Sequence, residues 1–452
     1  MATGTPASPP PPSAQPGPAP AGAGPAARGA WRRGLRRLGL GALLAVAGLA
    51  AAVAWLDRLP ETVPATAGVA DAATLARGAQ LARLANCAGC HTAPGGAAYA
   101  GARALATPFG TVYAGNLTPD ADTGLGRWSA DDFWRALHHG RGRDGRRLVP
   151  AFPYTSFTHI GRADSDALFA WLRTLPPVAA ARPDHALRWP FGSQPALAAW
   201  RALYFRPAAD QPAPPPGPSA DRGAWLVRGP GHCAECHAPR DVLGGRIDPA
   251  ALRGGLMPMG DWEAPSLACL SGRGQAEPAR GAALVALLRD GQSGPDAVAG
   301  PMAEVVRGST QHWPEDELRA VAAHLATLPC PAAATTHTAR PAPLDDARRT
   351  LGQQLYTRHC ADCHGTQGEG VAGVYPALAG NRSVNLPTAT NLVQALRHGG
   401  FAPATAAHPR PHGMPPQFLS DDEMAAVASW VRQAWGNAAE PVGWLAVSRM
   451  GR

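Results

Sequence analysis

The sequence predicts an all-α fold of three small tandem modules that follow an N-terminal membrane anchor. The modules begin alike, with ARGAQL at 76–81, DRGAWL at 221–226 and LGQQL at 351–355. They also end alike, on segments with apolar residues at i, i+3, i+4 and i+7, at 164–175, 314–328 and 420–435. No segment shows the alternation typical of a strand. We therefore expect small helical units whose first helix packs against the last.

Proline-rich segments set the module boundaries. The segments 206–218 and 329–343 have the composition of semi-rigid spacers, and they leave modules at 69–204, 219–330 and 344–437. A chain of 452 residues with 45% hydrophobic residues is long enough for several cores. Its 52 glycines and 48 prolines predict that much of it is loop. Ser420 and Glu423 form a capping box at the last helix, and Pro314 suits a first helical turn.

The N-terminal part predicts export of the modules. Residues 1–37 are Pro/Ala-rich and then basic, and we expect them to be disordered. The uncharged residues 38–56 would span ~28 Å as a helix, about the thickness of a bilayer core. The arginines before them place the N-terminus in the cytoplasm. A cleaved signal peptide ending near 65–67 is the alternative. Both readings export the modules from the cytoplasm.

The motif Cys-x-x-Cys-His occurs once near the start of each module. Its residues are Cys87, Cys90 and His91, then Cys233, Cys236 and His237, and finally Cys360, Cys363 and His364. On a helical turn, positions i, i+3 and i+4 share one face. Two thiols can thus form thioethers with the vinyl groups of one haem while the histidine reaches its iron. We therefore predict three covalently bound haem c groups, each in a class I cytochrome c-like domain.

Two other uses of paired cysteines fit the sequence less well. A zinc site would have to combine pairs from different modules and would leave one pair over. A redox dithiol would need a βαβ context that the sequence lacks. The formal charge of +8 does not favour nucleic acid as a partner, because the six propionates of three haems would lower it to about +2.

The second axial ligand of each iron has a candidate in two modules. Met414, in the loop HGMPP, and Met302, in GPM, both precede the closing helix of their module. A methionine ligand raises the reduction potential relative to histidine. Met424 lies on the closing helix itself and is expected in the core.

The first module has Phe152 at the corresponding position, and a phenyl group cannot bind iron. No methionine occurs between His91 and Met257. The remaining candidates are His138, His139, His159 and His185. His159 lies closest to the displaced loop position and is the favoured ligand, whereas His138 and His139 are expected on a helix surface. An open five-coordinate haem is the alternative. The leftover cysteines, Cys269 and Cys330, form either a disulfide or two free thiols.

Longer segments resemble a known family over residues 70–440: the triple-haem cytochrome c subunits of membrane-bound bacterial dehydrogenases. The similar segments are NLTPD at 116–120, GPMAEVV at 300–306, GGFAP at 399–403 and RPHGMPP at 410–416. The resemblance implies an electron-transfer subunit, not an enzyme by itself. Such a subunit takes electrons from a partner dehydrogenase and delivers them to ubiquinone or a terminal acceptor.

The resemblance also implies a branch of the family. The branches that serve quinoprotein alcohol dehydrogenases or flavin-dependent gluconate-type dehydrogenases have Pro-Ala-Met-Pro-Tyr where this chain has Phe152 in place of the methionine. Phenylalanine there resembles the branch paired with molybdenum hydroxylases, whose molybdopterin and iron–sulfur subunits oxidise aldehydes or N-heterocycles. A different class of function, a peroxidase-like haem enzyme centred on an open first haem, is the rival hypothesis.

Overall fold

A computed structural model describes residues 25–57, 70–257, 262–268, 279–329 and 341–450. The chain divides into two compact units, Met1–Arg58 and Leu59–Arg452. The start of the predicted disordered segment, the alternative cleavage site at 65–67, and Cys269 and Cys330 lie outside the described residues.

The first unit contains the helix α1 (Pro25–Leu56), which includes the segment 38–56. Nowhere in the described ranges does a helix combine the length and the apolarity needed to cross a membrane. The prediction of a membrane anchor as part of the fold class is therefore wrong.

The second unit is built mainly of short helices joined by long loops. In the first module they are α2 (Ala72–Leu84), α3 (Cys87–His91), α4 (Ala130–His139), α5 (Tyr154–Phe157), α6 (Arg162–Leu172) and α7 (Gln194–Tyr204). In the second they are α8 (Ala220–Arg228), α9 (Ala234–His237), α10 (Ala279–Asp290), α11 (Pro301–Gly308) and α12 (Glu315–Ala326), with a 3-10 turn at Thr310–His312. In the third they are α13 (Asp346–His359), α14 (Ala361–His364), α15 (Thr390–His398) and α16 (Asp421–Val431), followed by α17 (Trp444–Arg449).

Three helix pairs form the frame of the second unit: α2 with α6, α8 with α12, and α13 with α16. Each pair crosses at a glycine of the first helix, whose missing side chain lets a backbone carbonyl of the second helix come close. The glycine–carbonyl pairs are Gly78–Ala167, Gly223–Ala320 and Gly352–Ala426. The repeated glycine in the opening segments is thus explained by close helix packing. The predicted packing of first helix on last is observed in all three modules.

Charged side chains support two of these crossings. Arg77 of α2 makes a bidentate pair with Asp164 of α6, at 2.8 Å for both bonds. Arg222 of α8 pairs with Glu317 of α12 at 2.8 and 2.5 Å, and both side chains are almost fully buried. Such a fork-to-fork pair fixes the relative orientation of its two helices.

The expectation of an all-α fold is wrong, because short strands pair within the loops. In the first module β1 (Ala104–Thr107), β2 (Gly110–Tyr113) and β3 (Ala186–Leu187) form an antiparallel sheet. The other strands form two-residue pairs: β4 (Gly255–Leu256) with β5 (Glu263–Ala264), β6 (Gln292–Ser293) with β7 (Asp296–Ala297), and β8 (Gly400–Phe401) with β9 (Gly413–Met414). Strands of two to four residues are too short to show the alternation on which a prediction depends.

The apolar cores do not follow the three predicted modules one to one. A single cluster of buried residues contains both Leu81 and Leu168 of the first module and Leu226 and Leu318 of the second. A separate cluster fills the third module. Polar contacts join the third module to the second: Asn391 and the backbone of Glu263 exchange two hydrogen bonds of 2.8 Å.

Candidate haem-binding sites

The three motif histidines have the same environment, although they lie in different modules. The Nδ1 atom of each lies within hydrogen-bond distance of a backbone carbonyl oxygen from a later loop. The pairs are His91 with Gly115 at 2.6 Å, His237 with Pro265 at 2.7 Å and His364 with Pro376 at 2.9 Å. Because a carbonyl oxygen can only accept, Nδ1 must carry the proton and Nε2 keeps its lone pair. This second contact orients the ring as in other metal-ligating histidines.

Burial keeps these imidazoles neutral. It lowers the pKa of His91, His237 and His364 below the ordinary value, although the carbonyl contacts act in the opposite direction. A neutral imidazole with a free Nε2 is the form that binds iron. The residues present therefore fit a haem at each motif.

The motif cysteines do not have the properties of a redox dithiol. Burial raises the pKa of the Cys87 and Cys233 thiols to about 12, and that of Cys360 to about 11. Catalytic thiols in Cys-x-x-Cys sites have a lowered pKa instead. Within the described ranges, no three His, Cys, Asp or Glu side chains cluster closely enough to hold a metal ion such as zinc. Both findings favour thioether attachment over the alternatives.

Short strands and turns place the two candidate methionines. Met414 lies in β9, where it packs against the apolar cluster of the third module. Met302 lies in the first turn of α11, after Gly300, whose φ of 52° suits glycine. Both side chains are partly exposed. Met424 is 2% exposed and belongs to the core, as expected.

The histidine candidates of the first module contact other parts of the chain. His159 lines a small pocket with second-module residues that include Arg228, Arg246 and His324. The expected surface position of His138 and His139 is wrong, because they are 2% and 4% exposed. His138 stacks on Trp134 with a ring-centroid distance of 4.0 Å. These two side chains are buried because the chain around Ala208 covers that face of α4.

Residues of the first two modules contact one another around both haem motifs. From the first module, Ser156 and Thr155 donate hydrogen bonds of 2.9 and 3.2 Å to Glu235, the residue before Cys236. From the second module, Glu304 of α11 pairs with Arg103 at 2.7 Å, and Arg103 also donates to the Gly89 carbonyl beside Cys90. The first two motifs therefore meet at one junction, which is formed by Thr155, Ser156, Glu235, Arg103 and Glu304.

Glu235 was missed by the sequence analysis. Its carboxylate pairs with Arg240 at 2.8 Å and with Arg246 at 3.0 Å, and its side chain is 14% exposed. Burial alone would raise its pKa, but Arg246 and Arg240 outweigh burial and hold the pKa below the ordinary value. Burial also raises the pKa of Cys236 to about 11, and Cys90 across the junction adds to this.

The carbonyl partners of the histidines were missed as well. A weak signal was present, since Gly115, Pro265 and Pro376 each precede a leucine by two residues. The three leucines, Leu117, Leu267 and Leu378, are partly buried and pack against the cores. The leucines thereby fix the loops whose carbonyls face the histidines.

Comparison with known proteins extends these findings. A family model described as cytochrome c matches residues 75–176 and 350–435, which contain the first and third motifs. The chain is 36% identical over 392 residues to the cytochrome c subunit of alcohol dehydrogenase (quinone) of Gluconobacter oxydans (strain 621H), covering 82% of this chain and 80% of that protein. It is 34% identical over 394 residues to the gluconate 2-dehydrogenase cytochrome c subunit of Pantoea cypripedii, covering 82% of this chain and 88% of that protein.

A third relative is much longer than this chain. A nicotinate dehydrogenase subunit of Pseudomonas putida is 38% identical over 409 residues, which cover 89% of this chain but only 33% of that protein. The chain thus spans about a third of the length of this relative. The histidine geometry and the two nearly full-length matches lead to one conclusion. The chain belongs to the family of dehydrogenase cytochrome c subunits, which carry covalently bound haem c and transfer electrons without acting on the substrate themselves.

Proposed function

We propose that the chain carries three covalent haem c groups and passes electrons from a partner dehydrogenase to ubiquinone or a terminal acceptor. The observation that carries this proposal is the threefold contact of a motif histidine with a loop carbonyl. The second motif lies outside the ranges of the family model. It shares its histidine contact and the burial of its cysteines with the first, which supports a haem there too.

The proposed attachment residues are Cys87, Cys90, Cys233, Cys236, Cys360 and Cys363. When bound, haem supplies an iron that gains and loses one electron. The iron would be held by His91, His237 and His364 through Nε2, and Met302 and Met414 would supply a thioether ligand at the second and third sites. A thioether stabilises the reduced iron more than a second imidazole does.

The junction favours transfer between fixed centres. Residues of the first module hold the second motif through Glu235, and residues of the second module hold the first motif through Arg103. One apolar cluster lies behind both motifs. The two attachment sites are therefore held at a constant separation, which suits electron transfer. Cys363 of the third motif is exposed, so this site is accessible from outside the chain.

We favour a molybdenum hydroxylase with iron–sulfur subunits as the partner, acting on an aldehyde or an N-heterocycle. Two observations support it: the similarity to a nicotinate dehydrogenase subunit, since nicotinate is an N-heterocycle, and Phe152 in place of a methionine. A quinoprotein alcohol dehydrogenase is the second candidate, supported by the 36% identity to its cytochrome subunit. Covalent haem attachment requires export, which supports the periplasmic side of the bacterial inner membrane as the location.

The haem count tests the first part of the proposal. The purified chain should contain three haems per chain by the pyridine haemochrome assay, and the double variant Cys233→Ala/Cys236→Ala should contain two. A count of two in the unaltered chain that does not fall in the double variant would exclude the second site. The partner is tested by purifying the native complex: molybdenum is expected, and pyrroloquinoline quinone or flavin would overturn the favoured branch. Substrate added to the complex should reduce the haems, and no reduction would refute electron transfer.

A further inference from the structure

We propose that a small pocket beside the second haem motif binds an inorganic oxyanion such as phosphate or sulfate, and that the bound anion lowers the reduction potential of the second haem. Neither the family motifs nor the comparisons assign the residues of this pocket. The effect on the potential rests on the proposed function, because it requires a haem held by His237.

The pocket lies where the first module meets the second. It has a volume of about 80 Å³, and its walls come from α5 and the residue His159 after it, from α8, α9 and α12, and from the loop 246–252. Ala234 of the second motif lies in the wall, whereas the cysteines and the histidine of that motif do not. Pro249 and Ala250 at the rim are exposed. The pocket is therefore open to solvent and separate from the groups that would hold the haem.

The first argument is a buried imidazole that has no protein partner. His324 of α12 lines the pocket and is 8% exposed. Its ring makes no hydrogen bond and no ion pair with any other residue in the described ranges. Buried polar groups in proteins are normally hydrogen-bonded, because leaving one without a partner costs free energy. A ligand in the pocket would satisfy this ring.

The second argument is the positive charge around the pocket. Burial lowers the pKa of His159 and of His324, and the nearby guanidinium of Arg228 lowers both further. Arg246 also lowers the pKa of His159. No carboxylate acts in the opposite direction on either imidazole. The two arginines therefore lie beside the two imidazoles, and no acidic group separates them.

These arginines retain donors for a ligand. Arg228 is exposed and makes no ion pair in the part of the chain that the structure describes. Arg246 contacts Ser156 and Glu235 through Nη1 alone, and a guanidinium has further N–H donors. Glu235 is shared with Arg240 at 2.8 Å, so it does not neutralise both arginines. The pocket thus offers N–H groups and positive charge together.

Size and charge decide the class of ligand. Pockets for organic ligands have volumes of roughly 300–1,000 Å³, so a pocket of about 80 Å³ suits an ion of a few heavy atoms. A metal cation would be repelled by Arg228 and Arg246. A tetrahedral oxyanion accepts paired hydrogen bonds from a guanidinium and single ones from imidazole N–H groups. An inorganic oxyanion is therefore the ligand that fits.

A bound anion would act on the second haem through its charge. Ala234 in the pocket wall follows Cys233 directly, so the anion would lie beside the attachment site. Negative charge near an iron stabilises the oxidised state relative to the reduced state. The reduction potential of the second haem should therefore fall when the pocket is filled.

Phosphate binding to the complete haem-loaded chain tests the proposal. Isothermal titration calorimetry at constant ionic strength should show one phosphate site per chain. Arg228→Gln should raise the dissociation constant about tenfold, because a hydrogen bond to a charged group is lost. His159→Ala, at a second exposed residue of the pocket, should weaken binding in the same direction. Arg319→Gln is the matched control, since Arg319 is an exposed arginine of α12 outside this pocket, and it should leave the dissociation constant unchanged.

A redox titration measures the effect on the haem. Saturating phosphate should lower one of the three reduction potentials in the unaltered chain and in Arg319→Gln. At the same phosphate concentration, the shift should be smaller in Arg228→Gln. A phosphate-bound chain with three unchanged potentials would overturn the effect on the second haem.

The binding site itself would be overturned if the unaltered chain did not bind phosphate. It would also be overturned if phosphate bound equally well to Arg228→Gln or to His159→Ala, and either variant decides this if the other fails to fold. The haem count separates this inference from the proposed function. Three haems without phosphate binding would contradict only the anion site, whereas fewer than three haems would contradict the proposed function.

Discussion

Replacing Glu235 by glutamine should destabilise the junction of the first two haem motifs. The carboxylate is contacted by Arg240 at 2.8 Å and Arg246 at 3.0 Å, and it accepts hydrogen bonds from Ser156 and Thr155. Glutamine retains one carbonyl oxygen for these hydroxyls but loses the charge. Two partly buried guanidinium groups would then lose the carboxylate that they share.

The expected loss of unfolding free energy follows from the burial of the Glu235 carboxylate. Removing one member of a buried ion pair costs roughly 3–5 kcal/mol. Glu235 is 14% exposed, and the retained oxygen still accepts hydrogen bonds, so we expect about 2–3 kcal/mol. The uncompensated arginines should also raise the reduction potential of the second haem, because positive charge nearby favours the reduced iron.

Glu304→Gln is the matched control for this prediction. Glu304 lies at the same junction and pairs with Arg103 at 2.7 Å, but its side chain is 54% exposed. An exposed pair contributes only ~0–1 kcal/mol. Guanidinium unfolding followed by haem absorbance would measure the losses, and spectroelectrochemical titration would measure the potentials. The reasoning would be refuted if the two variants lost the same free energy of unfolding. It would also be refuted if the reduction potential of the second haem were unchanged in Glu235→Gln.

Three further predictions concern other parts of the chain. Gly223→Ala should lower the free energy of unfolding by about 1–3 kcal/mol, because the added Cβ would overlap the Ala320 carbonyl. Gly281→Ala, at an open helical position, should not destabilise the chain, and denaturant unfolding would compare the two variants. Burial lowers the pKa of His139 to about 4. As the pH falls, this histidine is therefore protonated in the unfolded chain first, and stability should fall between pH ~6.5 and about 4. In His139→Leu, the melting temperature should depend less on pH over this range. Met414→His should lower the potential of the third haem in a redox titration.

The helix pairs could be predicted from the sequence, whereas the strands could not. The closing helix predicted at 420–435 is observed as Asp421–Val431 and begins with the predicted capping box of Ser420 and Glu423. Helical periodicity needs only a dozen residues of one chain segment. The pair of β8 and β9 joins Gly400 to Met414 across a loop. Two residues at each end of a loop carry no periodic signal.

The sequence predicts those parts of the site whose residues lie close together in the chain. Cys233, Cys236 and His237 lie within one turn, so their spacing alone indicates their chemistry. Glu235 lies within the same motif, but its role depends on Arg246 and on Ser156 of another module. Spacing within a motif does not contain information on which loop of another module packs there. His138 was placed on the surface for the same reason, since the chain that covers it comes from Ala208.

The junction explains how the first module can carry Phe152 without losing its loop. In the second and third modules a methionine–iron bond would hold the loop before the closing helix. In the first module, Thr155 and Ser156 of α5, which follows that loop, donate hydrogen bonds to Glu235. On the proposed ligand assignment, the neighbouring module supplies the anchor that a methionine–iron bond would provide in the other two modules. Glu235→Gln should therefore change the EPR signal of the first haem as well as the potential of the second, although Glu235 belongs to the second motif.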